Sequence, residues 1–375
     1  MTPAEVVPPT PAGGEPSAGL RPWLLVAGCH RSGTSAITGA LVALGLQGVD
    51  ESDRIDALES NAEHWESLSV ALFNESLLLG HDGTWDAPPD DGELPRQASG
   101  AEQGRLDTML SKAYPGPEPG VLKDPRISLL LPFWRSVLGG HLAAVWIWRS
   151  PQAVALSLER RDSLPVENGL ALWDHYVRST ALGLDGLPVY VLRYEDVIEE
   201  PDATLALLAR WLEDQTGLSP GATPRLDEAV SSLDPGLRHQ RPPADQPVPE
   251  TILHTVAWLE DHGGAHDAWS ARPPDAVDSH LASLISARRQ LAPLVRRQLA
   301  PLVRRTNELE EEVRALQRER AGSAAEIARL HEALAECRRD LDAERRVTRQ
   351  MTRSASWKIT RPLRAAGAFR PRRPG

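Results

Sequence analysis

Four short apolar runs recur along the first two thirds of the chain, and each ends in a polar cluster. They are Trp23 to Ala27, Val121-Leu122, Ala143 to Trp148, and Val189 to Leu192. Unbroken apolar runs of this length predict strands buried on both faces, as in a parallel sheet. Between them the apolar positions take helical spacing. This predicts helices over Ser35 to Leu46, Ser67 to Leu79, Ala101 to Tyr114, Ile127 to Leu138, Pro151 to Asp162, Val166 to Leu184, Pro201 to Glu213 and Glu250 to Asp261. Pro151 suits the first turn of its helix. The stretch from Asp50 to Glu66 reads as loop with helical pieces, and His81 to Gly100 as a surface loop. Strands alternating with helices predict an α/β fold: a P-loop-like, mostly parallel sheet with helices on both faces. Ligands in such folds bind beyond the carboxyl ends of the strands, where every one of the four polar clusters lies.

The pattern changes near the C-terminus. The octapeptide Arg289 to Arg296 is repeated at 297–304, and a heptad follows through Leu309, Val313, Leu316, Ile327, Leu330, Leu334, Cys337 and Leu341. It predicts a coiled coil, interrupted at Arg320 and Ser323, with a single amphipathic helix as the alternative. The expected organisation is a disordered segment over 1–21, the α/β domain over 22–265, a linker over 266–285, the coiled coil or long helix over 286–350, and a basic tail over 351–375.

Charge sharpens this division. The net charge is −11 over 375 residues, yet residues 345–375 hold ten Lys/Arg and no Asp/Glu, leaving 31 basic against 52 acidic residues before them. An acidic body argues against nucleic acid as a partner, whereas the tail suits contact with an anionic membrane surface or simple solvation. The two cysteines, Cys29 and Cys337, suggest neither a disulfide framework nor a zinc site. With no signal-like N-terminus and no apolar run long enough to span a bilayer, the expected location is cytoplasmic, with the tail able to reach the inner face of the membrane. A coiled coil would also make the chain a homo-oligomer.

The first polar cluster, Gly28-Cys29-His30-Arg31-Ser32-Gly33-Thr34-Ser35, stands between a strand and a helix. Loop amides and a helix N-terminus in this layout cradle an anion. Gly28 and Gly33 have Walker A spacing, but Thr34 and Ser35 stand where Lys and Ser/Thr should follow. A triphosphate reading is weakened, and Arg31 within the loop offers a different cation.

Together with three later clusters, this loop resembles the sulfotransferases that use 3′-phosphoadenosine 5′-phosphosulfate (PAPS), over roughly Leu24 to Asp261. The resemblance makes His30, Arg31, Ser32, Gly33, Thr34 and Ser35 the 5′-phosphosulfate loop, with Arg31 countering charge on the bridging oxygen. Trp148-Arg149-Ser150-Pro151 followed by Ser157 resembles the 3′-phosphate site, in which an Arg at a strand end and a Ser eight residues later share the phosphate. Lys123, in Leu122-Lys123-Asp124-Pro125-Arg126, takes the place of the lysine near the transferred group. The histidine that follows it in cytosolic members is absent, as Asp124 and Pro125 stand there. The resemblance then points to a carboxylate base. Glu66 is the first choice and His64 the second, with an ordinary cap or surface charge as the alternative for Glu66. Arg193-Tyr194-Glu195-Asp196 resembles the family's late strand and helix, and equally a structural turn. Arg238, in Arg238-His239-Gln240-Arg241, would close a basic loop over the nucleotide. The function implied is sulfuryl transfer from PAPS to a hydroxyl or amine, without a metal. The C-terminal heptads and the segment from Ser354 to Arg364 resemble tails on bacterial enzymes that build surface glycans, which implies a carbohydrate acceptor. Two other readings stand beside it: a nucleotide kinase or phosphate binder with a variant P-loop, and a non-catalytic coiled-coil scaffold carrying a relic nucleotide domain.

Overall fold

The computed structural model divides the chain into two units, Met1–Arg296 and Arg297–Gly375. It describes residues 21–55, 65–90, 92–217, 225–233 and 247–291, together with helical positions 329, 332, 333, 335, 336 and 339. The expected disordered segment up to residue 20, the coiled coil beyond residue 291 and the basic tail lie outside the described residues, apart from those six positions.

In chain order the first unit runs β1 (Trp23–Ala27), α1 (Thr34–Ala43), a 3-10 turn (Glu51–Asp53), α2 (Leu68–Gly80), α3 (Gly100–Ala113), β2 (Gly120–Lys123) and α4 (Ile127–Leu138). It continues through β3 (Leu142–Trp148), α5 (Pro151–Asp162), α6 (Val166–Gly183), β4 (Val189–Arg193), α7 (Tyr194–Glu199) and α8 (Pro201–Thr216). Then come α9 (Leu226–Ser231), α10 (Glu250–Asp261), β5 (Gly264–His266) and a last helix, α11, over 279–291. The sheet order is β2-β1-β3-β4-β5, parallel except for β5, which pairs antiparallel with β4. The fold is α/β, with helices against both faces of a mostly parallel sheet.

The strands are apolar throughout because each face is covered. Leu25 and Ala27 of β1, with Leu122, Ala144 and Trp146, face one core that includes Phe133, Trp134 and Trp173. Leu24 and Val26, with Val121, Val145 and Ile147, face the other, against Ile37, Leu41, Leu205 and Leu208. Alternate residues therefore enter opposite cores, as the two-residue period of a strand requires.

Local chemistry sets the helix boundaries. Ser67 caps α2 by accepting from the Val70 amide, and Ser99 and Glu102 make a reciprocal capping box at α3. Pro151 and Pro201 open α5 and α8. Two segments differ from the expectation of loop or linker. Gly264–His266 forms the edge strand β5, and the 81–100 loop buries Ala87 and Leu94. Within the 266–285 stretch, α11 begins at residue 279, and its Leu281 and Ile285 are buried in the first core.

The chain leaves β1 for α1 and returns on one side to β2; β3 lies on the other side. The order thus reverses beside β1, and the loop after β1 opens onto that crevice. This is where open α/β sheets place ligands.

Candidate functional site

The loop from Gly28 to Gly33 turns sharply between β1 and α1. Arg31 has φ 68° and Gly33 φ 96°, in the left-handed region. Gly33 is required for a second reason. A Cβ there would stand 2.1 Å from Cδ2 of Tyr194, whose ring packs against the loop. Gly28 is similarly close, as a Cβ would meet the Ile147 carbonyl at 2.4 Å. The loop is tied from outside by Ser128, whose hydroxyl accepts from the Gly28 amide at 2.8 Å. Ser32 donates to the Cys29 carbonyl at 2.6 Å. The result is a cradle held by β1, α4 and the residue after β4. Thr34 and Ser35 form the first residues of α1, where the amides and dipole favour an anion.

Two groups of side chains meet this cradle. The first comes from β3 and α5. Nε of Arg31 donates to Oγ of Ser157 at 2.9 Å, and Nη1 of Arg149 donates to the Arg31 carbonyl at 3.4 Å. Trp148 is in register with Arg193, so the residues after them are neighbours, and the Arg149 guanidinium carbon lies 4.7 Å from the centre of the Tyr194 ring. Trp173 of α6 donates its indole N–H to the Arg149 carbonyl at 2.9 Å and fixes that corner. The Arg31 side chain reaches solvent. Partial desolvation, then the charges of Arg161 and Arg149, lowers its pKa from the ordinary arginine value. Three guanidinium groups thus crowd one anion-ready corner.

The second group comes from β2 and the residues before α2. Lys123 ends β2 beside Val26, donates from Nζ to Oγ of Ser35 at 3.1 Å, and is ion-paired with Oε1 of Glu66. Its side chain is 1% exposed and that of Glu66 18%, so the acidic partner faces the opening more than the cation does. Behind them, Asp124 accepts from the Arg126 amide at 2.8 Å and pairs with its guanidinium at 3.0 Å, while Arg126 Nε reaches Glu75 at 2.8 Å. Burial raises the Asp124 pKa, with Glu66 adding to the shift and Arg126 opposing it.

His30 is buried with its ring 4.5 Å from that of Trp85 and 5.8 Å from that of Tyr176, and its Nε2 has no hydrogen-bond partner. Burial holds its pKa well below the ordinary value, aided by the charges of Arg126, Arg161, Lys123 and Arg31. The ring is neutral at physiological pH. Cys29 beside it is buried too, and burial pushes its thiol up out of the nucleophilic range.

Arg31, Ser32, Gly33, Thr34, Ser35, Lys123, Glu66, Arg149 and Ser157 therefore converge at the carboxyl ends of β1, β2 and β3. His64 and Arg238 lie outside the described residues. Ser128, Tyr194 as a wall of the loop, and Trp85 were missed as site residues. Tyr194 had a signal in its polar cluster after a strand. Ser128 and Trp85 had none, since neither lies in the anion-binding patterns. Among the described residues, no group of three or more His, Cys, Asp or Glu side chains could hold a metal ion, and no helix is long and apolar enough to cross a membrane.

No protein-family model matches the chain, and no curated protein does. Solved structures similar to it include a sulfotransferase domain from the curacin biosynthetic pathway, 14% identical, covering 72% of this chain and 97% of that one at a TM-score of 0.34. The sulfotransferase STF1 of Mycobacterium tuberculosis H37Rv is 16% identical over 58% of this chain and 75% of its own, at 0.38. The sulfotransferase domain of the Synechococcus PCC 7002 olefin synthase is 17% identical over 72% and 96%, at 0.33. The chemistry of the site rests on its own side chains.

Proposed function

We propose that the chain is a sulfotransferase that moves a sulfuryl group from PAPS to a hydroxyl or amine of a carbohydrate acceptor. The observation that carries this reading is the pairing of two cationic groups across one phosphate cradle. Arg31, Ser157 and Arg149 gather on the β3 side, and Ser35, Lys123 and Glu66 on the β2 side. A donor with two separated anionic groups needs such a divided site. The cradle also fits a close-bound anion: Gly28 and Gly33 let the loop turn tightly against Ile147 and Tyr194 between β1 and α1, and Arg31 brings a guanidinium into the loop.

PAPS would supply a sulfuryl group already activated as a mixed anhydride, which leaves to the protein positioning, charge compensation and the removal of one proton. Arg149 and Ser157 hold the 3′-phosphate. The loop amides and the α1 N-terminus hold the 5′-phosphate. Arg31 and Lys123 counter the charge that grows on the bridging oxygen as the S–O bond to phosphate breaks. The acceptor oxygen or nitrogen forms the new bond to sulfur, and Glu66 takes its proton. Lys123 supplies from the neighbouring strand the cation that Thr34 does not provide within the loop.

Two measurements test this. In thermal shift, 3′-phosphoadenosine 5′-phosphate (PAP) should stabilise the protein more than ATP with magnesium does, and tighter binding of ATP would favour the nucleotide-kinase reading instead. With labelled PAPS and extracted cell-surface material, wild type should transfer label and Arg31→Ala should transfer at least about 100-fold less. Equal transfer by the two proteins would refute the role given to the loop.

A further inference from the structure

Trp85 sits in the loop between α2 and α3, far in sequence from the residues it touches. Its indole packs on His30, next to Arg31, with ring centres 4.5 Å apart, and the Arg161 guanidinium carbon lies 5.6 Å from its ring centre. Arg161 follows Ser157 by four residues on α5. The two therefore share a helix face one turn apart, and Ser157 is the residue that holds Arg31. Arg161 is 42% exposed, and its Nε is engaged by the carboxylate of Asp162 at 2.9 and 2.8 Å. Among the described residues no hydrogen bond is recorded at its two terminal nitrogens, and Asp162 is its ion-pair partner.

The tryptophan is held in place by distant parts of the chain. Tyr176 of α6 donates its hydroxyl to the Trp85 carbonyl at 2.9 Å. From α11, Arg288 donates to the Asp86 carbonyl at 3.2 Å and pairs with the Asp86 carboxylate. Arg289 donates to the Pro88 carbonyl at 2.9 Å and pairs with Asp90 at 2.7 Å. Three anchors on a loop of this kind make a rigid wall beside the cradle.

Charge decides what the wall suits. Arg31, Ser157 and Arg149 account for the donor's phosphate groups in the function proposed above. Arg161 adds a further cation near them, close enough to lower the Arg31 pKa beyond what desolvation does. Asp162 offsets part of that repulsion from the Nε side, and an anion on the terminal nitrogens would offset more. The terminal nitrogens of an arginine present a two-pronged fork that matches a carboxylate, and the half-buried indole, held between His30 and Arg161, leaves only its exposed part to pack against the C–H groups of a sugar ring.

Resting on the sulfotransferase reading, we propose that Trp85 and Arg161 select the acceptor, and that it is an acidic sugar whose ring lies on Trp85 and whose carboxylate is held by Arg161. The test uses the full chain saturated with PAP, titrated with p-nitrophenyl β-D-glucuronide or p-nitrophenyl β-D-glucoside by calorimetry. The glucuronide should bind at least about tenfold tighter, as a charge-assisted pair predicts. Arg161→Gln should abolish that preference, Arg161→Lys should retain part of it, and in both the Kd for PAP should change by well under tenfold. Equal binding of the two sugars, no binding of either, or a preference that survives in Arg161→Gln would overturn the proposal. So would a tenfold loss of PAP affinity in Arg161→Gln, which would assign the residue to the donor. Failure of wild type to bind PAP would overturn the function itself, and the acceptor assignment with it.

Discussion

Lys123 ties the stability of the fold to the proposed chemistry through its pairing with Glu66. A lysine that is 1% exposed is tolerable only beside a counter-charge, and Glu66 provides it. Glu66→Gln should therefore have two effects. Removing the proton acceptor should lower transfer by about 100-fold or more, and leaving Lys123 buried without its partner should destabilise the fold by roughly 3–5 kcal/mol. Adding Lys123→Met to that variant should restore much of the stability but none of the transfer. Recovery of transfer in the double variant would remove Glu66 from the mechanism. His30 gives a pH signature. Its folded-state pKa is depressed by burial, so between that value and the ordinary 6.5 the unfolded chain binds more protons than the folded one. Stability is then held above the unfolded pKa and falls as pH drops below it. Melting temperature should decline on acidification from about pH 7.5 to 5, and His30→Gln should make the decline shallower. An unchanged slope would show that other groups set it.

At the scale of elements, the function proposed puts the second anion site in the corner between β3, α5, α6 and the residue after β4. Trp173 of α6 donates to the Arg149 carbonyl, so this corner depends on a helix that contributes no charge to it. Trp173→Phe leaves that carbonyl without its donor and should cost roughly 1–3 kcal/mol. The same change should weaken PAP binding by freeing Arg149. Denaturant melts and a PAP titration on the one variant read both effects, and unaltered PAP affinity would separate the helix from the site. The contact between Gly33 and Tyr194 gives a harder constraint. Gly33→Ala meets both the tyrosine ring and a positive φ, and the backbone strain alone costs about 1–3 kcal/mol. Shortening Tyr194 to leucine in that background should recover only part of the loss, because the φ remains.

For the whole molecule, the first unit ends at Arg296 and contains every described site residue. Deleting residues 297–375 should leave PAP binding unchanged. If the heptads do form a coiled coil, the same deletion should turn an oligomer into a monomer in sedimentation. Loss of PAP binding on deletion would place part of the donor site in the removed segment. Helix α11 belongs to the body, with Leu281 and Ile285 in the core and Arg288 and Arg289 on the Trp85 loop. Cutting the chain before residue 279 should therefore lower the melting temperature, whereas cutting after 296 should not.

Local rules decided much of this before any tertiary contact was known. The apolar runs predicted four strands, because a parallel strand buried on both faces must be apolar along its length. Helical spacing, with Pro151 at one start, marked eight helices to within three residues, while α7, α9 and α11 were not foreseen. The Gly28 to Ser35 loop was legible as an anion cradle from its place between a strand and a helix, whereas Lys123, Arg149 and Ser157 were singled out by the resemblance to sulfotransferases. The edge strand β5 was not legible: three residues with no apolar pattern become a strand only where β4 offers a free edge. Leu68 and Leu72 belong to the apolar spacing that predicted α2, yet they are 38% and 41% exposed, while Val70, Ala71, Asn74 and Leu78 are buried. Periodicity identifies a helix, but only its neighbours choose the buried face.

The pairing of Lys123 with Glu66, the support of Gly28 by Ser128, the fit of Tyr194 on Gly33 and the placing of Trp85 beside Arg161 join residues up to 161 positions apart. The sequence determined which residues could handle an anion and which segments would carry them, because those are properties of short stretches. Only the tertiary structure decided which of them meet, because contact across a sheet depends on strand order and register, which no single segment contains.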